Sequence, residues 1–365
     1  MTGALAWCLV LIVLFPAVVL AATSGAPVWV TQQVNAPGVA YRLFNSAAVG
    51  GQVSYHVLLP TDYNTSPARR YPVVYYLHGS NSVTAGIAPM SAAFRQAMDS
   101  GLMPPALVVF PNGLPFGMWC DAVGGAQPVE SMVIPDLVAE VDTQWRTWPG
   151  PRARMVEGFS MGGYGAARMG LRWPALFGAV SMLGAGPLQL DFLIDDPNLN
   201  PIQLRRQILA EVYGNDPAVF EAQSPWRLAE GAVATLPPEY RLRQVIGSAD
   251  FTVQYNRQFH DHLLALGLAH EWQELPVSVT RCRRSSERWA TGSGTSTPGP
   301  WPMQMCCFAM VSSKALAQPC SLRCSLADSA LSRAASSEAL HGFAPRRCLV
   351  QCPQPTSMAL TIFGT

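Results

Sequence analysis

Ser160 stands in "VEGFSMGGYG" (156–165), surrounded by glycines 158, 162, 163 and 165. A serine hydroxyl alone is a poor nucleophile. It becomes a good one when a base takes its proton and N–H groups stabilise the charge that develops on its target. Gly158-Phe159-Ser160-Met161-Gly162 fits G-x-S-x-G, in which a serine sits on a sharp strand-to-helix turn. The helix that follows offers its free N–H groups and its dipole to negative charge, and the Met161 amide is one candidate oxyanion donor. The second donor is expected from a loop after an earlier strand. "YYLHGSNS" (75–82) is such a strand and loop, with the Ser80 amide as candidate and His78 as a residue that orients the loop. An acid should follow later in the chain, and "QVIGSADF" (244–251) offers Asp250 at a strand end, where Asp also suits a helix N-cap.

These residues need rigid elements behind them. "VSYHVLLP" (53–60), "PVVYYLHG" (72–79), "PALVVFPNG" (105–113), "ARMVEGFS" (153–160) and "FGAVSMLGAG" (177–186) read as strands. Several are continuous apolar runs, as strands buried on both faces should be. "YRLRQVIGSAD" (240–250) and "AHEWQELP" (269–276) supply two more. Between them, "MGGYGAARMGLRWP" (161–174) and "TVQYNRQFHDHLLALG" (252–267) have helical spacing. So does "ESMVIPDLVAEVDTQW" (130–145), with Val133, Leu137, Val138 and Val141 on one face and Pro135 expected in its first turn. This alternation predicts an α/β fold over 28–276 with a mostly parallel central sheet and helices on both faces. Residues 187–235 break the rhythm and are expected to form a small cap. Asp191, Asp195 and Asp196 there read as a solvated loop face.

Composition narrows the function. The chain has 365 residues, 49% hydrophobic and 13% charged, with net charge +1. That suits a large core and gives no reason to expect a nucleic-acid partner. Residues 4–22 are a dense apolar run ending in small residues. They read as a secretory signal peptide cut near Ala21 or Ala22, or alternatively as an uncleaved membrane anchor. A secreted location is expected, with membrane contact only through that segment. Cysteine and histidine spacings give no zinc site, and no cofactor is expected.

"YYLHG", "GFSMGGYGAARMGLRWPALFGAVSMLGAG" and "GSADFTVQYNRQF" together resemble the esterase-D-like esterase family of α/β-hydrolases. That family includes feruloyl and acetylxylan esterases, S-formylglutathione hydrolases, enterochelin-type esterases and secreted mycolyltransferases. The resemblance implies an α/β-hydrolase fold over roughly 35–276. It implies Ser160 as nucleophile, Met161 and Ser80 as amide donors and Asp250 as the acid. "GMWCDAVGGAQPVESMVIPDLVAEVD" (117–142) resembles the family's Trp/Asp loop, here Trp119-Cys120-Asp121, which implies Trp119 and Asp121 as substrate contacts, with a packing role as the alternative for Trp119. The implied reaction is hydrolysis of carboxylic esters through an acyl-enzyme, with feruloyl or acetyl esters of polysaccharide as substrates. Acyl transfer of the mycolyltransferase type and a catalytically dead binding protein are the alternatives.

The family's histidine follows its last strand in a glycine-rich turn. Here "AHEWQELP" runs into "VSVTRCRRSSERW", which has none. His56, His260, His262, His270 and His341 lie elsewhere in the pattern. After Pro276 the composition changes abruptly: residues 277–365 hold 14 Ser, seven Cys and nine Arg or Lys against three acids. The genetic code offers a reason. Reading from the third base of each codon, Pro276-Val277 and Ser278-Val279 both give NGT, which includes glycine. Val279-Thr280 gives NAC, which includes histidine. A shifted frame therefore can read Gly-x-Gly-His directly after "QELP". Residues 277–365 are expected to be an out-of-frame tail that leaves the hydrolase domain without its C-terminal end, the rival being a natural cysteine-rich tail.

Overall fold

The computed structural model describes residues 26–276. The proposed signal segment, the tail from 277 to 365 and His341 lie outside the described residues.

Eight strands form one sheet: β1 (Val39–Ser46), β2 (Gly51–Leu58), β3 (Val73–Leu77), β4 (Leu107–Pro111), β5 (Arg154–Phe159), β6 (Ala179–Leu183), β7 (Arg241–Gly247) and β8 (Glu271–Leu275). Their order is β1-β2-β4-β3-β5-β6-β7-β8. The β1–β2 and β2–β4 pairs are antiparallel, and all pairs from β4 to β8 are parallel. Every residue of β3, β4 and β6 is buried, which is why their sequences are unbroken apolar runs. From β3 the chain crosses to β4 on one side and later returns to β5 on the other. The order therefore reverses between β3 and β5. In open α/β sheets, ligands bind in the crevice at the carboxyl ends of the strands where the order reverses. The Ser80 loop leaves β3 at that place, and the Ser160 turn leaves β5.

One face of the sheet is covered by α1 (Ile87–Asp99), whose Ile87, Phe94, Ala97 and Met98 pack with Val74, Tyr76, Val108 and Phe110. The other face carries the larger core, shared with α4 (Met161–Arg172) and α8 (Val253–Ala265). The segment expected as one helix over 130–145 is composite. It comprises α2 (Val129–Ser131), a π-helical stretch Met132–Leu137 and α3 (Val138–Gln144). Val133, Leu137, Val138 and Val141 are buried as their spacing requires. Pro135, however, lies inside the π-helical stretch and not in a first turn. Proline has no N–H to donate and its ring crowds the preceding turn, and the wider π turn absorbs both defects.

Residues 187–235 hold three helices, α5 (Ile202–Tyr213), α6 (Pro217–Ala222) and α7 (Pro225–Ala232). Asp191 and Asp195 are exposed, as expected of a solvated loop face, and Asp196 is half-buried in the same loop. Its carboxylate accepts from Gln254 Nε2 (2.9 Å), Tyr255 Oη (2.7 Å) and the Asn198 amide (2.9 Å), tying this segment to α8. No helix among the described residues is long and apolar enough to cross a membrane.

Candidate active site

The turn after β5 has the geometry its sequence demands. Ser160 adopts φ 56° and ψ −118°, a conformation L-residues rarely occupy, and caps the N-terminus of α4. Such strain persists only where the surroundings hold it, and it clusters at functional sites. The surroundings are tight. A Cβ on Gly162 would lie 1.9 Å from the Leu77 carbonyl oxygen, and one on Gly158 would lie 2.1 Å from the Gly162 oxygen. The motif's glycines thus let β3, β5 and α4 converge on the serine. Its backbone is pinned on both sides: the Ser160 N–H donates to Leu183 (2.9 Å), and its carbonyl accepts from Tyr164 (3.0 Å) and Gly186 (3.2 Å). Ser160 is half-buried, so it is held and still reachable.

The loop after β3 packs directly against it. A Cβ on Gly79 would lie 3.3 Å from the Ser160 Cβ and 3.2 Å from the Phe159 oxygen. Among the described residues, no backbone acceptor takes the N–H of Ser80 or Met161. Ser80 and Met161 follow β3 and β5 at the switch point.

Asp250 is buried in the turn after β7, where its Oδ2 accepts from the Gly247 N–H (3.0 Å). Two links tie this turn to its neighbours. The Ser248 N–H donates to the Leu275 carbonyl (2.7 Å), and Gly247 pairs with Leu275 in register. The end of β8 therefore lies beside Asp250. Toward Ser160 the connection runs through Gly184–Gly186: the Asn256 amide donates to the Ala185 carbonyl (2.8 Å), and Gly186 closes on the Ser160 carbonyl.

The described histidines are bonded to other groups. His56 Nε2 accepts from the Val34 N–H (2.9 Å), and burial pushes its pKa down to about 4. His260 and His270 bond each other (2.7 Å), and His270 lies just before β8, at the end of the sheet opposite the Ser160 turn. The His262 ring packs against Trp226 at a tilt, with ring centroids 4.5 Å apart. His78 is in the right loop, but its Nε2 accepts from the Gly113 N–H (3.1 Å) and its Nδ1 lies 2.9 Å from the Gly79 carbonyl.

The two residues expected as substrate contacts are both bonded within the protein. Trp119 is fully buried, so its ring offers no surface to a ligand; its Nε1 donates to the His78 carbonyl (3.1 Å). The Asp121 carboxylate accepts from the Ser131 N–H (2.9 Å) and hydroxyl (2.5 Å) and so secures the start of the helical segment. Sequence reasoning missed Arg168, which is fully buried on α4. It donates to the Trp119 carbonyl (2.7 Å), Gln223 (2.7 Å to its carbonyl) and Glu130 (3.2 Å). An arginine on the apolar face of the helix after the serine was the available signal.

Among the described residues, no three His, Cys, Asp or Glu side chains could hold a metal ion. Cys120 is their single cysteine, and burial pushes its thiol up to about 11.

The family model described as "Putative esterase" matches residues 46–230, about half of the chain. The chain belongs to this esterase family. The match spans Ser80, Trp119, Asp121, Ser160 and Met161 and stops short of Asp250 and β8. Among relatives in the esterase family and its neighbourhood, an esterase of Mycobacterium tuberculosis is 31% identical over 167 residues, which cover 45% of this chain and 36% of the relative. An endo-1,4-beta-xylanase/feruloyl esterase of Xylanibacter ruminicola is 27% identical over 164 residues, covering 42% of this chain and 22% of the relative. The chain thus matches about a third or less of these relatives' lengths. Among solved structures, a fluorophosphonate-binding serine hydrolase of Staphylococcus aureus superposes with TM-score 0.56 at 19% identity, covering 68% of this chain and 96% of that one. The fold is that of the α/β-hydrolases.

Proposed function

We propose that this protein is a secreted serine esterase that hydrolyses carboxylic esters through an acyl-enzyme. The observation that carries this reading is the strained Ser160 turn at the N-terminus of α4, with the Gly79–Ser80 loop packed against it. Ser160 Oγ attacks the ester carbonyl. The Ser80 and Met161 amides stabilise the oxyanion, the alkoxide leaves, and water then releases the acid. Asp250 would orient a histidine that takes the serine proton and returns it to the leaving group. Substrates are esters of feruloyl or acetyl type on polysaccharide, in keeping with the feruloyl esterase named among the relatives. Residues 1–22 act as the export signal.

The bonding of the described histidines supports a second reading of the chain as written: a site with nucleophile, oxyanion donors and acid but no base. The base would then be encoded one base out of frame after Pro276. A fluorophosphonate probe tests the first reading, because it phosphonylates an activated serine. Labelling at Ser160 that disappears in S160A supports it. Equal labelling of S160A refutes it.

A further inference from the structure

We propose that Trp119 and His78 are positioning residues that clamp two successive peptide planes of the loop after β3 and so aim the Ser80 N–H at the oxyanion. This deepens the serine-esterase reading and rests on it. The argument begins with peptide geometry. In a trans peptide the carbonyl of one residue and the N–H of the next point in opposite directions. Fixing the acceptor side therefore fixes the donor side.

The two carbonyls concerned are those of His78 and Gly79. The His78 carbonyl accepts from Trp119 Nε1 (3.1 Å). The Gly79 carbonyl accepts from the Ser82 N–H (3.2 Å) and lies 2.9 Å from His78 Nδ1. The Gly113 N–H donates to His78 Nε2 (3.1 Å), so Nε2 is the bare nitrogen and Nδ1 carries the proton that Gly79 receives. The Gly79–Ser80 plane is thus held from two sides, with the Ser80 N–H turned away from both bonds. The same assignment occupies both nitrogens of His78.

Trp119 is itself held too firmly to be incidental packing. Its indole lies in a slot that needs two glycines: a Cβ on Gly165 would lie 2.4 Å from its Cγ, and one on Gly113 would lie 2.5 Å from its Cη2. The ring also meets the His78 ring at 4.8 Å. Met118 and Trp119 adopt φ 50° and 54°, two successive left-handed conformations in bulky residues. Such conformations persist only when their surroundings hold them. Arg168 does so by donating to the Trp119 carbonyl (2.7 Å). The bonds run from the helix after the nucleophile, through Arg168 and Trp119, to the loop that faces that nucleophile.

The test measures phosphonylation of Ser160 by the fluorophosphonate probe in the full chain, or, where that chain does not label, in the chain with one base inserted after Pro276, separating probe affinity from the maximal inactivation rate. W119F keeps the ring's bulk and removes its N–H. H78A removes the Nδ1 donor, and H78N restores one at nearly the same place. Loss of a whole oxyanion donor costs on the order of 10²–10³ in rate, so a misaimed one should cost about tenfold or more. The expected result is that W119F and H78A each lower the maximal rate at least about tenfold with unchanged probe affinity, and that H78N recovers most of it. Rates within about twofold of the unmodified chain, loss confined to affinity, or failure of H78N to recover would overturn the clamp. S160A separates the two claims. If it labels, the nucleophile reading and the clamp both fall; if it is blank while W119F and H78A match the unmodified chain, the clamp alone falls. Should W119F fail to fold, shown by loss of its thermal transition, the H78A and H78N pair decides.

Discussion

Glu157 precedes the Ser160 turn on β5, in register with Ser181 on β6, Arg243 on β7 and Glu271 on β8. It is fully buried, and neither of its carboxylate oxygens makes a hydrogen bond of normal geometry. Burial outweighs the pull of Ser181 and Arg243 and pushes its pKa up to about 7 from 4.5. The folded state therefore holds this proton more tightly than the unfolded one. The stability it contributes is present below the unfolded pKa and is lost as pH rises through about 7. E157Q, which stays neutral, should match the parent near pH 4.5 and exceed it by up to roughly 3 kcal/mol at pH 8. Denaturant titrations at the two pH values check this; an equal difference at both would contradict it. At this scale the sequence was legible only in part. G-x-S-x-G names Ser160 because steric need fixes residue types at 158 and 162. Trp119 looked like a substrate contact because its decisive bond goes to a backbone carbonyl, which carries no side-chain signature.

Among the elements, α4 is the one that the rest of the site depends on. Arg168 ties it to Glu130, to the Met118–Trp119 turn and to Gln223. Its partner Glu130 also receives the Trp173 indole (2.8 Å) and Arg172 (3.5 Å). Removing one member of a buried ion pair leaves the other uncompensated, at about 3–5 kcal/mol. Trp173 and Arg172 offset part of that here. R168A should therefore lower unfolding stability by about 3 kcal/mol, measured by denaturant, whereas R172A should change it by under about 1 kcal/mol because Arg172 is half exposed. Equal effects would show that Glu130 does not discriminate between them. The parallel strands were readable because burial on both faces demands apolar runs. The edge strand β1 was not, since most of its residues are exposed or half-buried and its side chains are mixed. The π-helical stretch was also hidden, because a proline at 135 is equally compatible with a helix starting later.

For the whole molecule, the described sheet ends at β8, beside Asp250, where the chain enters residues whose composition no longer matches the body. An acid alone does little for Ser160. In a serine triad its work is done through the histidine, and replacing the acid by its amide lowers turnover about 10⁴-fold only because a histidine is there to be held. This gives a test of the reading frame that does not rest on the DNA sequence alone. If the base is encoded out of frame after Pro276, a single-base insertion there should create a histidine codon across Val279-Thr280 and raise ester hydrolysis by several orders of magnitude. Loss of the histidine in another serine hydrolase cost on the order of 10⁶ in kcat. D250N should then behave differently in the two chains. It should cost about 10⁴-fold in the restored chain and almost nothing in the chain as written, since there it has no imidazole to orient. Measured with p-nitrophenyl acetate, equal losses in both chains would mean that a base is already in place, and the proposed shift of frame would be wrong. A D250N without effect in either chain would remove Asp250 from the site while leaving Ser160 and its oxyanion loop untouched.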